Sequence, residues 1–401
     1  MKAFCNFSLI AVLITAVFLV SCSEKSEVEN DGIIEFLPFQ TKQDGRWGMI
    51  SPDGKVLFTE KFKNEPTVAR DGRFFVKNEE GLWDMYTATE NPQKIASSYT
   101  HVSSFKKGRA IVAWEGWPVS IIDTQGKQVK LIDKIDGKVV NEVYTFHENH
   151  AVFMTDDSLF GAIDMDGNCV VKPQYRDLCH CCDGKFIGKN ATHGTQDENT
   201  KYFAIDLNGK ILFEFGAGSS YKYVYPYFSD GLLCVFIEKE GFGLINDKGE
   251  LVNKLHDIVT VTDIYRDKII YWNRDICCGV MNTKGEIIIS PEFGVGLFFV
   301  GTDILGKENG DGGMGIDAVP NEQYIDINGN QIGDETYVQI SSFINGEYAI
   351  VKPDWYHAYI IDKYGKQIDG LPDMFDIGTN EGDNIIESGF NGKGWYISTS
   401  R

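Results

Sequence analysis

Positive charge is scarce in this sequence. Its 401 residues carry 38 Lys and Arg against 58 Asp and Glu, a formal net charge of −20 at pH 7. A surface that acidic repels phosphate backbones, so no nucleic-acid partner is expected. Proline is sparse as well, at 11 residues, and no collagen-like or low-complexity tract appears. No stretch of useful length has helical periodicity. The longest apolar run, Phe4 to Val20, holds seventeen residues including Asn6 and Ser8, short of the ~20 that a comfortable membrane span requires. No Ser/His/Asp order, paired-carboxylate motif or nucleophile elbow can be picked out, so no catalytic residue is assigned. What is abundant is apolar side chains (43%, with 13% aromatic) and glycine, 42 residues. That composition suits a large core interrupted by many tight turns.

The amino terminus reads as an address. Lys2, a short greasy stretch and small residues are the marks of a secretory signal over residues 1–21. Leu19-Val20-Ser21-Cys22 resembles the bacterial lipobox, which implies that Cys22 carries a lipid and becomes the first mature residue. Residues 23–31 are acidic and polar, so 22–32 reads as a lipidated end plus a flexible tether. Ser23 is not the aspartate that retains such proteins at the inner membrane, which points to the outer membrane, on its periplasmic or surface-exposed face. The expected partner there is the membrane, through the lipid anchor.

From residue 33 to 401 one pattern keeps returning: an apolar strand ending in Asp or Asn, a turn with Gly, then another apolar strand. Its turn glycines stand at 54, 126, 167, 209, 249, 285, 329 and 365, and a decayed copy, Gly81-Leu82-Trp83-Asp84-Met85-Tyr86, fills the first gap. The period is about 39 residues, and nine units are counted. Asp-x-Asn-Gly and Asp-x-x-Gly between alternating apolar residues make hairpins whose Gly accepts positive φ. Further strands follow an aromatic and a Gly, as in Phe105-Lys106-Lys107-Gly108 and Phe343-Ile344-Asn345-Gly346. Each unit therefore has three good strands and one weaker one. That is the size of a propeller blade, whose sheet buries both faces only by stacking on its neighbours.

Gly45-Arg46-Trp47-Gly48-Met49-Ile50, followed by Gly54-Lys55-Val56, resembles the bacterial WG-repeat (KWG) family. Later units put Phe160, Phe242 or Cys278 in place of Trp, and Gly116-Trp117-Pro118 inverts the order. The resemblance implies an all-β, propeller-like scaffold used for binding, with no shared catalytic residues. The expected fold is a ring of about eight or nine four-stranded blades, the alternative being an open β-superhelix. The tail, Asn384 to Glu387 and Gly394 to Ile397, reads as half of a tenth unit. The Trp or Phe of the motif is expected to fill the space between blades, its Gly allowing close approach.

Few residues offer chemistry. Seven cysteines lie beyond Cys22: 169, 179, 181, 182, 234, 277 and 278. Cys179-His180-Cys181-Cys182 holds four potential ligands, yet on a strand they alternate between faces, so no metal is expected. Outside the inner membrane thiols oxidise, and a disulfide from Cys169 to Cys179, Cys181 or Cys182 is expected. The acidic hairpins lack the length and terminal Glu of a calcium loop. Residues 306–315 read as an exposed insertion, with Lys307, Glu308, Asn309 and Asp311 as candidate ligand contacts. No cofactor is implied. The functional expectation is a tethered scaffold that binds a protein or a glycan without catalysis. Two alternatives stand beside it: a carbohydrate-active hydrolase or lyase with acids in a central funnel, and an envelope structural or assembly component.

Overall fold

A computed structural model describes residues 32–192, 199–224, 227–294, 296–309 and 321–387. Cys22 and Asp311 lie outside them. The described residues form nine antiparallel sheets and no helix. Blade 3 shows the plan. Strands a (His101–Val102), b (Arg109–Ala113), c (Val119–Asp123) and d (Gln128–Ile132) run from the central channel outward, each paired to the next. Strand a is the weak member, with only two residues in blades 3, 5 (Asp177–Leu178) and 9 (Gln339–Ile340).

Nine apolar clusters alternate with the nine sheets. Met49 and Phe58 of blade 1 meet Phe74 and Val76 of blade 2; Trp83 and Met85 of blade 2 meet Val102 and Ile122 of blade 3. The series continues to Tyr324 and Tyr337 of blade 8 against Val351 and Ile361 of blade 9. The last cluster joins Ile350 and Ile360 of blade 9 to Leu37 and Ile50 of blade 1. Each sheet buries both faces, and the array closes as a nine-bladed propeller rather than an open superhelix.

Two kinds of hairpin repeat. The a–b turns carry consecutive positive φ, as at Asp71-Gly72, Lys107-Gly108, Asp183-Gly184 and Asp230-Gly231, the type I′ geometry that suits strand twist. The c–d turns are built on the recurring Asp or Asn. Asp206 Oδ1 accepts from the amides of Asn208 and Lys210, both at 2.9 Å; Asp123, Asp164, Asn246, Asn282, Asp326 and Asp362 do the same. The recurring Asp or Asn is thus a turn former, a place that Ser51 fills in blade 1. Because the strands alternate in direction, a–b and c–d turns share one face, here called lower, and the b–c loops share the upper face.

The motif aromatic does pack between blades, Trp83 against blade 3 and Phe242 against blade 7, and Cys278 takes the same place against blade 8. Its glycine, however, meets its own blade. A Cβ on Gly161 would lie 2.5 Å from the carbonyl oxygen of Val171 on strand d and 2.6 Å from the Phe153 ring on strand b. Strand d bulges at that level, with register shifts on both sides of Ala162, and the inward carbonyl takes the place of a side chain. Trp117 is not an inverted copy of the motif: it stands on the b–c loop, and Val119-Ser120 occupy the strand positions.

Gly394 to Ile397 lie outside the described residues, and the described part of the tail completes other blades. Asp376–Ile377 pairs with Leu37–Gln40 and supplies strand a of blade 1. The chain then crosses the channel wall as a strap. Val68 N donates to Asn380 O (2.7 Å), Ser104 N to Glu381 O (2.7 Å) and Thr145 N to Asn384 O (3.1 Å). Ile385–Glu387 finally lies along Lys138–Tyr144 of blade 4. The leading end is tied beside it, Asn345 of blade 9 holding both the amide (3.0 Å) and the carbonyl (2.8 Å) of Ile34.

Candidate binding face

The upper face carries several large apolar side chains that the frame leaves in solvent, while Tyr364, 75% exposed, stands on the lower c–d turn of blade 9. Trp117 on the b–c loop of blade 3 is 62% exposed; Trp355 and Tyr356 on that of blade 9 are 62% and 65% exposed, and Ile276 on that of blade 7 is 71% exposed. Each is displayed by a local device. On blade 3, Trp114 anchors the loop by packing on Tyr99 at 4.9 Å between ring centroids, and Trp117 N donates to Trp114 O. On blade 9, Asp354 accepts from Tyr356 N at 2.7 Å and pairs with His357 Nδ1 at 2.8 Å, which turns both rings outward. The hydrogen bond and charge of Asp354 raise the His357 pKa above its ordinary value.

Two polar clusters line the channel. At its upper mouth Lys352 Nζ lies 2.6 Å from Asp376, and Glu65 packs beside them. Burial, and then the Asp376 charge, push the Glu65 pKa up to about 7, against the pull of Lys352. Nearer the lower face the rings of His147 and His180 are 4.6 Å apart, with Lys106 Nζ bonded to Phe146 O at 3.0 Å. Burial, and then the Lys106 charge, hold His180 down at about 4; burial and His180 lower His147. Both imidazoles are neutral at pH 7.

The expected site residues are scattered. All seven cysteines among the described residues are free thiols. The bridge expected from Cys169 to the 179–182 group is not formed. Cys169 begins the outermost strand of blade 4, and Cys179, Cys181 and Cys182 follow the innermost strand of blade 5, at opposite sheet edges. Burial, with Glu148 beside it, drives the Cys181 thiol far above its ordinary pKa, so it is inert. Among the described residues no three His, Cys, Asp or Glu side chains converge as a metal site. Lys307, Glu308 and Asn309 do not belong to a loop; they end strand b of blade 8 (Ile304–Asn309), where Lys307 lies 4.6 Å over the Phe293 ring. The exposed aromatics escaped sequence reading because core packing explains most aromatics in such a chain. Their clue was position: Trp117 and Trp355-Tyr356 precede a strand c instead of starting one.

Residues 279–299 match the model of the WG containing repeat, in strands c and d of blade 7 and the start of blade 8. The chain is a propeller built from WG-type repeats. Among solved structures it resembles a eukaryotic initiation factor, at 9% identity and a TM-score of 0.52, over 88% of this chain and 98% of that one. It also resembles the C-terminal WD40 domain of Sif2, at 10% identity and a TM-score of 0.37, over 83% and 99% of the two chains. The first likeness concerns the propeller fold alone. No curated protein matches the sequence.

Proposed function

We propose that this WG-repeat propeller is an outer-membrane lipoprotein that binds a protein or a glycan through its upper face, without catalysis of its own. The observation that carries the reading is the display of Trp117, Trp355, Tyr356 and Ile276 on b–c loops of one face. Exposed aromatics on rigid turns offer large contact area at little entropic cost, for sugar rings and protein surfaces alike. The tether argues for the same face. Gly32 and Ile34 enter on the lower side, against Arg70 and Asn345, so a flexible tether from Cys22 joins the ring opposite the proposed binding face.

Labelled palmitate is expected in the full-length protein and absent from Cys22→Ser. Soluble protein lacking residues 1–22 is expected to bind on a glycan array or to a purified envelope protein, without turnover. Hydrolysis or lyase activity that disappears when one channel carboxylate is changed would establish the enzyme instead.

A further inference from the structure

The ring closes where three consecutive blades bring charge together. Lys352 ends strand b of blade 9, Asp376 opens the strap that serves as strand a of blade 1, and Glu65 precedes the inner edge of blade 2. Lys352 and Asp376 are 2.6 Å apart. Glu65 is packed directly on the strap, such that a Cβ on Gly378 would collide with its Oε1. Asp376 holds the ammonium of Lys352 and a second carboxylate, Glu65, lies within its influence where the strap closes the circle.

We propose that this seam is a pH-gated latch: the strap that completes blade 1 is held tightly in acid, where Glu65 is uncharged, and loosens as Glu65 ionises against Asp376. The direction follows from linkage. Glu65 binds its proton more tightly in the closed seam than in an open one, where it has an ordinary carboxyl pKa of 4.5. Closure is then strongest below 4.5 and weakens as pH rises to about 7. Asp376 and Lys352 are the charged groups that act on Glu65. Further along the strap Glu381 faces Arg70, and Asp383 faces His101 at 3.4 Å.

Hydrogen exchange of the mature protein, corrected for the intrinsic pH effect, reads the latch directly. Peptides containing Phe375 and Gly378, whose amides bond to Gln40 O and Pro38 O, are expected to lose protection by about tenfold or more between pH 5 and pH 7.5. Glu65→Gln is expected to keep them equally protected at both. Flat protection in the unmodified protein overturns the proposal whether or not the variant folds. Retention of the pH effect in Glu65→Gln also overturns it, because the response then comes from a group other than Glu65. Glu65→Met serves where the Gln variant does not fold.

Discussion

The buried guanidinium of Arg70 pairs with the carboxylate of Glu381 at 2.6 Å, across 311 positions of sequence. Arg70 is 1% exposed and also bonds the carbonyl of Gly32 at 3.0 Å, while Ser104 Oγ donates to the same carboxylate of Glu381. Removing one member of a buried pair strands the other, at a cost of about 3–5 kcal/mol. Arg70→Met is therefore expected to lower unfolding free energy by about 3 kcal/mol in urea titrations. Arg70→Lys should also be clearly destabilised, since one ammonium cannot reproduce the fork that reaches both partners. A loss below about 1 kcal/mol for Arg70→Met, the range of an exposed ion pair, would remove this pair from the closure.

The motif glycine is a packing requirement. Gly161→Ala must displace the Val171 carbonyl or the Phe153 ring, and overpacking of this sort costs about 1–3 kcal/mol. Gly72 has nothing within 4 Å of an added Cβ and is restricted only by its φ of +70°. Thermal melts are expected to rank Gly161→Ala below Gly72→Asn, which keeps the left-handed conformation at small cost.

The turn-forming acid acts through shape. Asn already fills its place at 246 and 282, so Asp206→Asn should be close to neutral in stability. Asp206→Ala leaves the Asn208 and Lys210 amides without their partner and is expected to cost about 1 kcal/mol. Asp326 shows the pH counterpart. Burial opposes its ionisation, but hydrogen bonds from Asn330 and Asn328 outweigh it and lower its pKa below 3.8. A depressed carboxyl favours the fold above that ordinary value, and the contribution disappears as pH falls through the folded pKa. Acid titration of Asp326→Asn should lack that component.

Thiol chemistry should follow burial. Protein lacking residues 1–22, unfolded without reductant, is expected to yield seven alkylated cysteines in mass spectrometry. In the folded state exposed Cys169 should react first; burial raises Cys234 to about 12 and, as the leading cause, Cys278 to about 11, so both should be silent. A peptide linking Cys169 to the 179–182 group would contradict the free thiols.

The binding face separates function from stability. Replacing Trp355 and Tyr356 together by Ala is expected to leave the melting temperature unchanged, since both project into solvent, and to weaken ligand capture at least tenfold, about 1.4 kcal/mol, as removal of an aromatic anchor does. Unchanged binding would move the recognition site elsewhere on the ring.

What could be read from sequence alone divides along the range of the interactions. The c–d hairpins were legible because Asp206 bonds amides two and four residues away, and their spacing counts the blades. The decayed unit at Trp83 was found by the same ladder and forms a three-stranded blade, its inner edge reduced to the Pro66–Val76 bridge. A ring was expected, but the strand that closes it was not legible: strand a of blade 1 is two residues long and comes from the far end of the chain. The cysteine pairing failed for a related reason. Cys169 and Cys179 are close in sequence, but a d strand and the next a strand bound opposite edges of their sheets.

Arg70 holds Gly32 with one arm and Glu381 with the other, and this has a mechanical consequence. A pull on the leading end does not peel blade 1 off the circle. The load reaches a guanidinium set in the wall and passes to the trailing strand, which is stitched along three further blades. Tension applied at Gly32 is carried by the body of the ring.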